Sequence, residues 1–144
     1  MGTRSNTTFF SEWSNEKPLA MIYRQFDGYP EGHGVQLARF LKEIKLVNGL
    51  RIDSEYSEVK VANKMSCLAA QVVVYLKEKP GDIYLESPED EENLGTEYNY
   101  RIYRDKMGVT DKESVLIDLI ESTEVGYQRV FYGSPEEFIK KYER

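Results

Sequence analysis

Residues 21–46, MIYRQFDGYPEGHGVQLARFLKEIKL, pass from an apolar strand pattern to a helical rhythm across one short corner, and nothing else in the chain constrains the fold as strongly. Residues 20–26 read as a strand, because Ile22, Tyr23 and Phe26 suit a pleated, half-buried surface. Asp27-Gly28 is a turn signal, and Pro30 steers Tyr29 away from helix. A helix is expected from Gly34 or Val35, with Leu37, Leu41 and Ile44 at i, i+4, i+7 and with Ala38 and Phe40 widening that face. Arg39, Lys42, Glu43 and Lys45 take the wet side. Gly28, Gly32 and Gly34 fall within seven residues. Glycine reaches positive φ at no steric cost and lets other groups approach the backbone. Two readings stand: the glycines only permit a tight corner, or the loop contacts a ligand or partner.

The rest of the chain fills in around this corner. Residues 3–13 read as a strand, 14–18 as a turn and 18–26 as the second arm of a hairpin. Asn48-Gly49 closes the first helix, and 50–56 read as loop. Ser57 suits an N-cap with Glu58 in the first turn, so a second helix is expected over 57–79. Its apolar face carries Val61, Met65, Leu68, Val72 and Tyr75, broad enough to lie against a sheet, and Pro80-Gly81 stops it. Residues 82–87 form a short strand, and 88–93, PEDEEN, a solvated acidic loop. In 96–104, Tyr98, Tyr100 and Ile102 alternate with polar neighbours, a clear strand signal. Residues 105–108 turn it, strands follow over 114–120 and 128–132, and Ser134-Pro135-Glu136-Glu137 is a capping box opening a helix over 135–143. The order is β-β-α-α-β-β-β-β-α. The expected class is α+β, a mostly antiparallel sheet packed by two or three helices, in one domain spanning 1–144.

Composition narrows the function. Across 144 residues, 40% apolar and 31% charged content fits a globular domain. The net charge of −6 disfavours sequence-independent nucleic-acid binding. A single cysteine, Cys67, points to a reducing compartment, and the longest apolar run, 68–76, is far short of a membrane span, so a cytoplasmic, membrane-free protein is expected. Met65 and Cys67 read as packing residues, because the chain has one histidine and no set of metal ligands. No cofactor motif is present.

The opening Met-Gly-Thr-Arg-Ser and the run from Ile22 to Gly34, with its Tyr-x-x-aromatic-Asp-Gly-Tyr-Pro core, resemble a family of small uncharacterised phage and prophage proteins. The tyrosine-rich strands and the terminal Tyr-Gly-Ser-Pro-Glu-Glu-Phe are similar too. The resemblance brings no reaction with it. It implies a viral origin, the cytoplasm of a host cell, and a role in host interaction or defence evasion.

Candidate site residues cluster at the glycine corner. Free N–H groups at a helix start attract phosphate or carboxylate, although neither Gly-x-Gly-x-x-Gly nor a P-loop lysine is present. The candidate ligand-binding set is Arg4, Tyr23, Arg24, Asp27, Gly28, Tyr29, Gly32, His33 and Gly34. Arginine would pair with phosphate, and tyrosines would stack on a base. The expected function is non-enzymatic binding of either a small anionic, nucleotide-like ligand or a host protein. The alternative is a small phosphodiesterase or hydrolase using His33 with Asp27 or Glu31. Open sheet edges leave room for a homo-oligomer.

Overall fold

The fold is organised by two adjacent strands that lie far apart in sequence. In the computed structural model, which describes residues 2–12, 14–49, 61–105 and 115–144, β1 (Ser5–Ser11) lies parallel to β6 (Tyr98–Arg104). Antiparallel partners extend the sheet on both sides. β2 (Ser14–Arg24) and β5 (Ile83–Glu86) follow beyond β1, while β7 (Val115–Thr123) and β8 (Gly126–Gly133) follow beyond β6. The six strands run β5-β2-β1-β6-β7-β8. The architecture is α+β as expected, with a sheet that is mixed because one parallel pair splices two antiparallel halves.

Three helices complete it: α1 (Val35–Lys42), α2 (Lys64–Leu76) and α3 (Pro135–Tyr142). Their apolar residues Leu37, Leu41, Leu68, Val72 and Phe138 join Phe9, Ile22, Tyr100, Ile102 and Ile117 of the sheet in one buried cluster. Strand alternation and the ladder registers therefore assign one face of the sheet to the helices. Residues Asn6, Thr8, Asn99, Arg101, Asp118 and Arg129 point the other way.

Five expectations change. The first helix ends at Lys42, not at Asn48-Gly49, because Lys45–Val47 leave it as a short strand. Residues 14–18 belong to β2 instead of forming a turn. Pro18 is tolerated there because β5 pairs only with Met21–Arg24, so the outer edge of β2 is open beside it. The second helix does not run over 57–79. Val61–Asn63 form β4, paired with β3 (Lys45–Val47), two short strands missing from the expected order. The helix begins at Lys64, whose φ of 68° marks the break. Its first turn is capped from outside: the buried Glu12 carboxylate accepts from the Met65 N–H at 2.7 Å. It ends at Leu76, three residues early, where Lys77 turns extended and its ammonium bonds the Gly81 and Ile83 carbonyls. Trp13, Ser57, Glu58, the loop at 50–56 and most of the 105–108 turn lie outside the described residues. The fifth change concerns the acidic segment 88–93. It is not merely solvated, because Glu91 docks on the helix-free face.

The closing capping box is present in full. The Ser134 hydroxyl accepts from the Glu137 N–H, and the Glu137 carboxylate accepts from the Ser134 N–H at 3.0 Å. Among the described residues, no helix is long and apolar enough to cross a membrane.

Candidate functional site

The corner between β2 and α1 is built by contact, and its glycines serve a different purpose from the one expected. None of Gly28, Gly32 and Gly34 has positive φ; Asp27 does, at 60°, a conformation Asp tolerates better than most residues. The glycines are needed for close approach. A Cβ on Gly34 would meet the Phe138 ring at 2.5 Å, and one on Gly28 would meet the Ser5 backbone nitrogen at 2.9 Å. Four of the corner's N–H groups are already used. Gly28 donates to Thr3, Gly32 and Gly34 to Tyr29, and His33 to Asp27, all at backbone carbonyls. The loop therefore presents no cradle of amides to an anion, and Pro30–Gly34 form a π-type turn leading straight into α1.

His33 lies inside the protein, not on an exposed loop, and is fully buried. Its Nδ1 is 3.1 Å from Arg24 Nη1, and its Nε2 is 2.7 Å from Thr7 Oγ1. A guanidinium only donates, so Nδ1 accepts and the proton sits on Nε2, which donates to Thr7. Arg24 Nη1 also donates to Gln36 Oε1 at 2.8 Å. Burial first, and the Arg24 charge second, push the imidazole pKa down to about 3. The Tyr100 ring packs edge-on at 4.9 Å, and its hydroxyl donates to the Gly28 carbonyl at 2.7 Å.

The structure thus gathers Arg24, Gly28, His33 and Gly34 around a buried polar knot and scatters the other candidates. Arg4 pairs with Glu97. Tyr23 lies on the opposite face against Tyr84, with ring centroids 6.0 Å apart. Asp27 is exposed, and the Tyr29 hydroxyl is 3.5 Å from its carboxylate. Glu31 is exposed and faces Arg144 at 3.6 Å. Gly32 packs on Asp27 and Tyr29. The acid/base pair of His33 with Asp27 or Glu31 is not assembled: the imidazole is neutral at physiological pH, both its nitrogens are occupied, and the two carboxylates sit outside.

A second polar cluster, on the helix-free face, went unnoticed in the sequence. Glu91 is its hub. Its carboxylate accepts from Thr8 Oγ1 at 2.9 Å and pairs with Arg101, and its carbonyl accepts from Asn6 Nδ2 at 3.0 Å. Beside it, Asp118 is 2% exposed and is gripped by Arg129 through two parallel bonds of 2.8 and 3.0 Å. The Arg129 guanidinium also lies 4.9 Å over the Tyr132 ring. Between these pairs is a cavity of about 160 Å³, bounded by Glu92, Asn99, Arg101, Ile120, Tyr127 and Arg129. Among the described residues, the buried atoms Arg101 Nε and Asn6 Oδ1 have no hydrogen-bond partner. The register that brings Asp118 to Arg129 across a bulge is not legible from either strand alone.

Among the described residues, no group of three or more His, Cys, Asp or Glu side chains is close enough to hold a metal ion. Compared with protein-family models, curated proteins and solved structures, the chain matches none.

Proposed function

We propose that this protein acts by binding, and that it holds a host protein on the helix-free face of its sheet. The observation that carries the reading is the outer half of that face. Tyr127 and Tyr132, 57% and 46% exposed, lie on that face, and Tyr127 borders a small cavity lined by the charged residues Glu91, Glu92, Arg101 and Arg129. Tyrosine and arginine are residue types that dominate binding energy at protein interfaces. In the Asp118–Arg129 pair only the carboxylate is buried, and the guanidinium stays half-exposed at the surface of this face. The phage-type motif adds the setting, a host cytoplasm and a role in host interaction.

The test is capture of host proteins on wild-type protein and on Tyr127→Ala, followed by native mass spectrometry. A defined partner retained by the wild type and released by the variant supports the reading. A partner held equally by both, or none held by either, overturns it.

A small anionic ligand is the second reading, favoured by one observation at the corner. Arg24 Nε is buried without a partner among the described residues, and Arg24 lines a polar cavity of about 60 Å³ together with Gln36, Lys79 and Asp82. Titration with inorganic phosphate and with a nucleoside monophosphate tests it: Arg24→Ala abolishes any binding that depends on this cavity, and unchanged affinity removes the reading.

A further inference from the structure

Asn63 is the last residue of β4 and stands at the N-cap of α2. An asparagine in that position ordinarily accepts from a first-turn N–H of its own helix. Asn63 makes no such bond. Glu12 takes the Met65 N–H, and Asn63 Oδ1 accepts from the Gly49 N–H at 2.8 Å, just past the end of β3.

The N–H it holds belongs to the one Asn-Gly step in the sequence, Asn48-Gly49. Such a step can react with itself. Glycine has no Cβ to keep its nitrogen away from the preceding side chain, so the Gly49 nitrogen can attack Asn48 Cγ. The N–Cγ bond forms and the Cγ–Nδ2 bond breaks. The Gly49 proton leaves with Nδ2 as ammonia, and a cyclic imide remains. Water then opens the ring at either carbonyl, giving aspartate or isoaspartate.

The surroundings permit this chemistry. Asn48 and Gly49 are both exposed, and no atom lies within 4 Å of the place a Gly49 Cβ would occupy. The Asn63 bond opposes it. To attack, the Gly49 nitrogen must lose its proton and turn toward Cγ, and Asn63 Oδ1 holds that proton and fixes the peptide plane. The Asp-Gly step at Asp27-Gly28 is held more firmly: Gly28 donates to the Thr3 carbonyl at 2.9 Å and is pressed against Ser5.

We infer that Asn48 is a site of spontaneous deamidation and that Asn63 is the clamp that sets its rate. The consequence is local and structural. Isoaspartate carries an extra backbone methylene, and here it follows directly on β3, at the end of the three-residue ladder with β4 that leads into α2.

Wild type, Asn63→Ala and Asn63→Asp are incubated at neutral and mildly alkaline pH. The tryptic peptide 46–51 is followed by mass spectrometry for replacement of the amide by a carboxyl. A synthetic peptide of the same residues gives the rate without the fold, and circular dichroism with urea unfolding reports whether each variant is folded. Wild type is expected to react more slowly than the peptide. Asn63→Ala is expected to react about fivefold faster than wild type, the factor of one typical net hydrogen bond. Asn63→Asp keeps an acceptor oxygen in the same place and is expected to stay near the wild-type rate. A wild-type rate equal to that of the peptide overturns the proposal. So does a folded Asn63→Ala that reacts no faster than wild type, or an Asn63→Asp that reacts as fast as the peptide. Should Asn63→Ala fail to fold, the peptide and Asn63→Asp comparisons decide.

Discussion

The two faces of the six-stranded sheet bury polar groups by opposite means. On the helix side the polar residues are kept neutral where they are deepest: Thr7 and His33 bond each other, the Tyr100 hydroxyl donates to the Gly28 carbonyl, and Arg24 reaches in to His33 from the edge. Burial there keeps the imidazole uncharged. On the other face the charged groups are paired: Glu91 with Arg101, Asp118 with Arg129. The same strands supply both faces. On β1 the polar run Ser5-Asn6-Thr7-Thr8 is buried throughout, alternate residues serving opposite sides. The helix side behaves as a core, where shape and neutrality decide stability. The helix-free side buries carboxylates against arginines that stay partly exposed.

This contrast can be broken most severely on the helix side. Phe138 is fully buried and touches Phe131, Tyr100 and Tyr142, with ring centroids 4.9, 6.3 and 4.6 Å away. Phe138→Ala is expected to cost about 3–5 kcal/mol, read by urea unfolding. A loss under ~1 kcal/mol would mean that α3 is not part of the core.

Next in size is the pH dependence set by His33. Its folded pKa is lowered to about 3, against an ordinary value of 6.5. Between those values the unfolded chain binds a proton that the folded chain does not, so this contribution is complete above pH 6.5 and is lost as pH falls. The slope is about 1.4 kcal/mol per pH unit, or about 2 kcal/mol between the ordinary value and pH ~5. His33→Gln removes that slope, measured as the difference between wild-type and variant unfolding free energies at the two pH values. Parallel profiles would place the imidazole in water.

The helix-free face should respond asymmetrically. Arg129→Ala strands a buried carboxylate, whereas Asp118→Asn leaves a half-exposed guanidinium that water can solvate. The first is expected to cost about 1–3 kcal/mol and the second less, read as shifts in the denaturant midpoint. The reverse order would show that Arg129 carries no weight in stability. Smallest of all, Tyr127→Ala should change stability by no more than about 0.5 kcal/mol while releasing the bound partner. A variant that unfolds instead would make Tyr127 a packing residue and weaken the division between the faces.

Much of this was legible in the residues, and where the reading failed, the cause was usually non-local. The Ser134 cap and the α3 boundary were readable because all the groups involved lie within four residues. The α1 stripe was readable because helical spacing is local. The start of α2 was not, since its cap is Glu12, 53 positions away in the chain. Ser57 was a sound local candidate, but Val61–Asn63 gain more by pairing with β3. The glycine corner was located correctly and explained wrongly. Its glycines answer to the Phe138 ring and the Ser5 backbone, neither of which a local pattern names. His33 looked like a loop side chain because its neighbours are glycine and glutamate, yet tertiary packing closes it under Tyr100 and Thr7.

By itself, the sequence determined the α+β class, most of the element types, the capped final helix and the turn at Asp27-Gly28, because hydrophobic period, capping and turn chemistry act over a few residues. Only the tertiary structure decided that β1 lies parallel to β6, that His33 is buried and neutral, and that Glu91, Arg101, Asp118 and Arg129 meet around one cavity. The physical reason is range. Strand partners, close approaches and desolvated charge pairs depend on which surfaces meet after collapse, and that is settled by the packing of the whole chain.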